Sequence, residues 1–197
     1  MPTSTQNKVK YNLKNVHYAK LISEGVTGPK YGEIKEWPGA VSVNFEPQGE
    51  SSTFYADGIK YYVTSTNTGY EGDYESALVP EDFKRDILGA TEDSDGVLLE
   101  NADAPTAYFA LLFEFDGDVK ARRHVMYKCS ATRPSVESKT KEENVDVATE
   151  TVKLTCSTTK INGVNIPKAE TGTSTSDEVY NSWYTTIHGA VSNGTGD

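Results

Sequence analysis

Apolar and polar residues alternate along much of this chain with the period of two that is typical of β-strands. The alternation is clearest over residues 40–46 and 70–78. Two denser apolar segments, 107–115 and 121–132, are separated by Asp116-Gly117-Asp118 and predict the hairpin at the centre of the core. The alternation predicts that each segment has one inward face, formed by Phe109, Leu111, Phe113 and Phe115 in the first and by Val125, Tyr127, Cys129 and Ala131 in the second. The same criteria predict further strands over residues 15–23, 52–56, 59–65, 97–100 and 145–158.

Turn and helix signals interrupt this pattern at a few places. Asp57-Gly58 stands between two alternating segments and predicts a tight β-hairpin. Pro80, acidic residues in the next two positions and Gly89 predict a short helix that closes one end of the core. Ser176 begins a second possible helix over residues 177–188.

These elements predict a mainly β fold, a β-sandwich or partly open barrel with one short helix packed on it. The predicted domain covers residues 15–160, with a long hairpin or loop over 38–62 and a polar loop over 132–144. Residues 1–14 and 161–197 are predicted as N- and C-terminal arms.

Composition narrows the function classes. The 197 residues carry a formal net charge of −10 and the pI is about 4.8. Binding of nucleic acid through contacts to its phosphates is therefore not expected. Cys129 and Cys156 lie at inward positions of predicted strands and are expected to be reduced, since a bridge would require neighbouring strands. No signal peptide or membrane span is predicted.

Candidate chemistry is sparse. His17, His124 and His188 are scattered without metal-type neighbours, and the acidic segments EDSDG and DGD are too short for a calcium loop. No phosphate-binding or nucleophile-elbow motif occurs. The expectation is a protein without catalytic residues, metal or cofactor.

Four ordered blocks carry a resemblance to a known family. They are KVKYNLKNVHY (8–18) and residues 38–62, 69–89 and 110–143. Together they resemble the major tail tube proteins of bacteriophages with long non-contractile tails (siphoviruses) that infect Gram-positive hosts. The resemblance spans roughly residues 7–160 and weakens beyond 160.

This resemblance implies a structural virion protein, made late in infection, that self-assembles into stacked hexameric rings. The rings form the tail tube through which the genome is ejected into the host. Implied partners are further copies of the chain, a tape-measure protein, a tail terminator and distal tail or initiator proteins. Phage DNA would pass through the lumen without specific binding. The implied location is the virion tail, with assembly in the host cytoplasm and no membrane.

Candidate site residues follow from the alternation and the charge pattern. Glu71, Asp73 and Glu75 share one face of a strand, which by itself predicts a solvated face and, in a ring, a possible acidic lumen wall. The Arg122-Arg123-His124 cluster favours a salt bridge to an acidic neighbouring subunit over a phosphate contact. Candidate contacts between subunits or rings are Arg122, Arg133, Glu137, Lys139 and Lys141.

The residues also leave two alternative functions open. A monomeric β-sandwich that binds carbohydrate would use an aromatic platform built from Tyr55, Tyr61, Tyr62, Tyr70 and Tyr74. A hydrolase would need two carboxylates at a fixed separation, and any acidic chain offers such pairs by chance.

Overall fold

A curled antiparallel sheet of eight strands dominates the computed structural model, which describes residues 6–138, 140 and 147–191. The strands are β1 (Lys10–Glu24), β2 (Pro29–Glu36), β3 (Ala40–Gln48), β4 (Ser51–Ala56), β5 (Ile59–Ser65), β6 (Gly69–Ser76), β7 (Thr91–Glu92), β8 (Leu98–Leu99), β9 (Phe109–Gly117), β10 (Arg122–Ala131), β11 (Glu150–Ser157), β12 (Thr159–Ile161), β13 (Val164–Ile166) and β14 (Lys168–Glu170). The helices are α1 (Glu81–Asp86) and α2 (Asp177–Asn181).

The large sheet has the strand order β2-β1-β9-β10-β11-β6-β3, with β14 alongside the first half of β10. Its curl brings β3, β6 and β11 opposite β1, β9 and β10, and the main core lies between these two layers. The predicted mainly β, sandwich-like fold is therefore confirmed, with an open edge at β3 and not a closed barrel.

Helix α1 closes one end of this core, as the sequence predicts. Phe83, Ile87 and Leu88 are buried, and the Phe83 ring packs edge-on against the Tyr18 and Phe109 rings at 5.0 and 5.1 Å between centroids. Aromatic contacts of this geometry add to the free energy gained by burying the rings.

Strand β9 is buried on both faces, which explains its continuous apolar run. Phe109, Leu111 and Phe113 face the main core, as predicted, whereas Ala110 and Leu112 face a second cluster on the other side of the sheet. That second cluster is covered by the C-terminal segment through Trp183 and Ile187.

The predicted alternation of β10 is wrong at one point. Val125, Tyr127, Cys129 and Ala131 were expected on one face, but Val125 and Tyr127 belong to the second cluster and the other two belong to the main core. A register shift between Met126 and Cys129 in the pairing with β9 reverses the faces.

The expectation of two reduced cysteines is also wrong. Cys129 on β10 lies directly opposite Cys156 on β11, and the two sulfurs are bonded as a disulfide. The two strands are neighbours in the sheet although Cys156 follows Cys129 by 27 positions in sequence.

Both predicted arms overlap the folded domain. Residues 10–14 belong to β1 and pair with β9, and residues 161–191 pack on the sheet and contribute β13 and β14. The C-terminal helix is shorter than 177–188, since α2 spans Asp177–Asn181 and turns follow it. Within the described residues, no helix is long and apolar enough to cross a membrane.

Candidate assembly surfaces

The first candidate surface is a polar face on the outer side of β3, β6 and β11. Glu71, Asp73 and Glu75 all point outward from β6, while Tyr70, Tyr74 and Ser76 point into the sandwich, so the predicted alternation is confirmed there. The polar face is completed by Ser42, Asn44 and Glu46 of β3 and Thr151, Lys153 and Thr155 of β11, which lie opposite the acidic row in register.

Charge on the polar face is not balanced within the sheet. Glu46 lies directly opposite Glu71, a like-charged pair of the kind that destabilises a sheet, whereas Lys153 lies opposite Asp73. Glu75 accepts hydrogen bonds from the Thr149 and Ser42 hydroxyls, at 2.6 and 3.0 Å, and these bonds hold its carboxyl pKa below the ordinary value. Glu75 is therefore ionised near neutral pH.

The second candidate surface is the β4–β5 hairpin, residues 51–65, which continues the β3–β6 pair beyond the sandwich. Asp57 and Gly58 both have positive φ, 53° and 76°, as a two-residue hairpin turn with matching twist requires. At its base, the Thr66 and Thr68 amides donate to the Glu50 and Gln48 carbonyls, at 3.0 and 2.8 Å.

The hairpin exposes large apolar side chains and buries almost none. Six of them are between 56% and 69% exposed: Phe54, Tyr55, Ile59, Tyr61, Tyr62 and Val63. The four aromatic rings alone present roughly 500 Å² to solvent, comparable to the largest apolar patch of a typical monomer. A two-stranded hairpin without a core is marginally stable in water, so burial of these side chains against another surface would stabilise this element.

Apolar side chains stand on both faces of the hairpin. Phe54 and Tyr62 are directly opposite each other on one face, and Val63, opposite Thr53, is on the other. A register shift follows the Phe54 pair and brings the Tyr61 ring to 6.4 Å from the Phe54 ring. The hairpin is therefore not amphipathic, and no single flat surface could cover it.

The predicted contact residues have different surroundings. Arg122 pairs with Glu170 at 3.2 Å, and Arg133 pairs with Glu100 at 3.0 Å, both within the chain. Glu137 is exposed. Lys139 and Lys141 lie outside the described residues. Among the three described residues of this set, no ion pair joins one to another.

One polar cluster was missed by sequence reasoning. Glu114, buried on β9, accepts from Arg123 Nε at 2.9 Å, from Asn15 at 2.7 Å and from the Tyr184 hydroxyl at 3.2 Å. Arg123 also donates to the Tyr180 carbonyl and lies over the Tyr180 ring at 3.9 Å. This cluster fastens the C-terminal segment to the sheet. Its one indication in the sequence is Glu114, a single charged residue within the apolar segment 107–115.

The five tyrosines of the alternative carbohydrate platform do not share a surface. Tyr55, Tyr61 and Tyr62 are exposed on the hairpin, but Tyr74 is fully buried beside Trp37, with ring centroids 4.8 Å apart. Tyr70 is half-buried and packs against the main core. A platform built on this chain would be limited to the hairpin.

The acidic segments considered for calcium serve as turns. Asp93 Oδ1 accepts from the Asp95 and Val97 amides, both at 2.9 Å, and Asp118 accepts from the Lys8 amide at 2.7 Å. In the part of the chain that the structure describes, no group of three or more His, Cys, Asp or Glu side chains could hold a metal ion.

Comparison with known proteins adds no identification. No protein-family model matches this chain, and no curated protein matches it. The resemblance to tail tube proteins therefore remains an expectation based on the four sequence blocks.

Proposed function

We propose that this protein is a structural subunit that self-assembles into stacked rings, and that the rings form the tail tube of a bacteriophage with a long non-contractile tail. The observation that carries this proposal is the β4–β5 hairpin, whose aromatic side chains are exposed on both faces. A large exposed apolar surface of this kind is typical of a protein that buries it by binding another protein chain.

One further feature supports a ring. Among the described strands, none pairs with the outer edge of β3, so its backbone groups are available to a neighbouring subunit. Such a head-to-tail contact closes into a ring when its rotation permits. The resemblance implies six subunits for each ring.

The polar face supports a passage for DNA. Its outward carboxylates, Glu46, Glu71, Asp73 and Glu75, outnumber the one cation opposite them, Lys153. Repeated around a lumen, such a wall repels the phosphate backbone, so DNA slides along it without adhering. This role needs no catalytic group and no cofactor.

A monomeric carbohydrate-binding protein is the second candidate, because Tyr55, Tyr61 and Tyr62 are exposed together on the hairpin. The aromatic residues of a sugar platform are needed on one face only, whereas this hairpin is apolar on both. Self-association therefore explains more of its surface.

Negative-stain electron microscopy and sedimentation of the purified protein, fresh and after concentration, test the proposal. The wild-type chain is expected to form rings or tubes with a central hole. A Phe54→Thr, Tyr62→Thr double variant is expected to remain monomeric, because threonine keeps the β-propensity of the hairpin while removing its aromatic surface.

A matched control replaces two exposed apolar residues elsewhere, Ile22→Thr and Val26→Thr, and is expected to assemble like the wild type. Wild-type protein that stays monomeric even when the tape-measure and initiator proteins of the phage are added would refute the proposal. Binding of a sugar by such a monomer would favour the second candidate.

A further inference from the structure

The strand pairing that joins the two layers of the large sheet is short. Among the described residues, β10 and β11 pair only over residues 128–131 and 154–157, and a backbone bond from the Thr132 amide to the Lys153 carbonyl at 3.0 Å extends this pairing. By contrast, β11 pairs with β6 along its whole length, and β14 occupies an earlier part of β10. We call the paired residues of β10 and β11 the layer junction.

The Cys129–Cys156 disulfide lies within the layer junction. The two cysteines are directly opposite each other, and both side chains belong to the main core, with exposed fractions of 0% and 1%. The bond therefore connects the layer of β1, β9 and β10 covalently to the layer of β3, β6 and β11, at the place where their backbone pairing is short.

The two layers are also held together without this bond. Side chains of both layers pack in the main core. The Trp37 amide donates to the Val16 carbonyl of β1 at 2.8 Å, and the Trp37 indole donates to the Ser76 hydroxyl of β6 at 3.1 Å. Because buried thiols behave as small apolar side chains, a chain with both cysteines reduced is expected to reach the same fold.

Burial shields the sulfurs from other thiols. Thiol–disulfide exchange requires direct attack of a thiolate on a sulfur atom, and the side chains of Cys129 and Cys156 are almost fully withdrawn from solvent. The layer junction must therefore open before a small thiol or a small disulfide can react. Either redox state is expected to persist while the junction stays closed.

We propose that Cys129 and Cys156 are a redox switch for the layer junction. In the reduced state the two layers separate locally more often, and in the oxidised state they are cross-linked. A reducing compartment keeps the two thiols, whereas in an oxidising compartment a low-molecular-weight disulfide closes the bond. This inference depends on the fold and not on the self-assembly proposed above.

The closing reaction consists of two successive exchanges with a small disulfide such as oxidised glutathione. One cysteine thiolate attacks the small disulfide, so that a mixed disulfide forms and one small thiolate leaves. The second cysteine thiolate attacks the protein sulfur of the mixed disulfide and releases the second small thiolate. In sum, the two protein thiols lose two electrons and two protons, and the small disulfide gains them as two thiols.

Hydrogen exchange of the full chain in both redox states tests the switch. Reduced protein is obtained by refolding from urea and dithiothreitol, and oxidised protein by incubation with oxidised glutathione; alkylation and mass spectrometry verify each state. The amides of residues 128–131 and 154–157 are expected to exchange about tenfold or more faster in the reduced protein. Amides that pair β1 with β2 lie within one layer and are expected to change less.

A Cys129→Ala, Cys156→Ala variant is the control for the oxidant. It is expected to show the same exchange with and without oxidised glutathione, because it has no thiol to oxidise. The main comparison uses wild-type protein in both states, so it does not depend on the stability of this variant.

The rate of reduction gives a second, independent readout. Dithiothreitol is expected to reduce the oxidised protein at least about a hundredfold more slowly under native conditions than in urea, because the junction must open first. Urea unfolding is expected to show that the bond shifts the unfolding equilibrium by on the order of a hundredfold, since it closes a loop between positions 27 apart.

Four results would overturn the inference. Thiols that stay reduced in excess oxidised glutathione, even when dilute urea opens the junction, would show that the switch does not close. Equal exchange of the junction amides in both states, or an equal change in the β1–β2 amides, would show that the bond does not act on the junction. Equal reduction rates in native and unfolded protein would show that the sulfurs are accessible. None of these measurements requires assembly, so such results would leave the proposed function untouched.

Discussion

At the scale of single residues, His124 shows how burial and a charged neighbour oppose each other. Its ring stacks on Phe113 and its Nδ1 lies 3.2 Å from a Glu170 oxygen. Burial lowers the His124 pKa to about 4, and this outweighs the opposite effect of Glu170, while Lys168 and Arg122 lower the pKa further. His124 is therefore neutral at pH 7.

This pKa predicts a specific loss of stability in acid. As the pH falls below 6.5, histidine in the unfolded chain takes up a proton before folded His124 does, so the free energy of unfolding decreases down to about pH 4. Urea unfolding at pH 7 and pH 4.5 is expected to show that wild type loses about 1–3 kcal/mol more than His124→Gln. Equal losses in the two proteins would contradict this assignment.

Tyrosines show why residue type alone does not reveal a role. Tyr74 and Tyr62 both occur in alternating strands, yet Tyr74 is fully buried and Tyr62 is 62% exposed. The difference arises because β6 has a second layer opposite it, whereas β5 extends beyond the sandwich. A pattern within one strand cannot reveal whether another layer covers it.

At the scale of elements, the C-terminal segment depends on the Glu114–Arg123 pair. Both side chains are largely withdrawn from solvent, and the pair joins β9 and β10 to Tyr180 of α2 and to Tyr184 beyond it. Removing one partner of a buried ion pair leaves the other charge uncompensated, which costs much more than losing an exposed pair.

We therefore expect Arg123→Leu to lower the free energy of unfolding by about 3–5 kcal/mol and to speed proteolysis within the C-terminal segment. The matched change, Arg122→Leu, removes an exposed pair with Glu170 and is expected to cost less than about 1 kcal/mol. Urea unfolding and limited proteolysis measure both. Similar effects of the two changes would show that Arg123 does not fasten the segment.

Elements also differed in how far they could be predicted. The hairpin over residues 51–65, strand β9 and helix α1 were predicted because their signals are local: a turn pair, a continuous apolar run and an acidic first turn. The face reversal in β10 was not predicted, because a register shift depends on the neighbouring strand. The same holds for β14, whose three residues become a strand by pairing with β10.

At the scale of the whole molecule, the acidic row can be tested apart from the fold. Glu71, Asp73 and Glu75 point outward, so replacing all three with lysine is expected to preserve the fold by circular dichroism and the assembly. A small loss of stability is expected, because Asp73→Lys faces Lys153 and Glu75→Lys loses the hydrogen bonds from Ser42 and Thr149. In an assembled tube, the reversed row is expected to retain DNA that the wild-type tube releases, since clustered cations bind the phosphate backbone.

The measurement is co-sedimentation of tubes with short duplex DNA at increasing salt. Glu33→Lys, Glu36→Lys and Glu178→Lys together make the same charge change at exposed positions off the polar face, and this control is expected not to retain DNA. Equal binding by both variants would place the acidic row outside the lumen.

The sequence by itself determined the mainly β class, the hairpin turn, the position of α1 and the grouping of Glu71, Asp73 and Glu75 on one face. These properties depend on local periodicity and backbone preference, which neighbouring residues specify. Only the tertiary structure decided that Cys129 meets Cys156, that Glu114 meets Arg123, that Tyr74 is buried and that the described residues leave the hairpin exposed. Each of these depends on strand order and register, which are determined by contacts between parts of the chain that are distant in sequence.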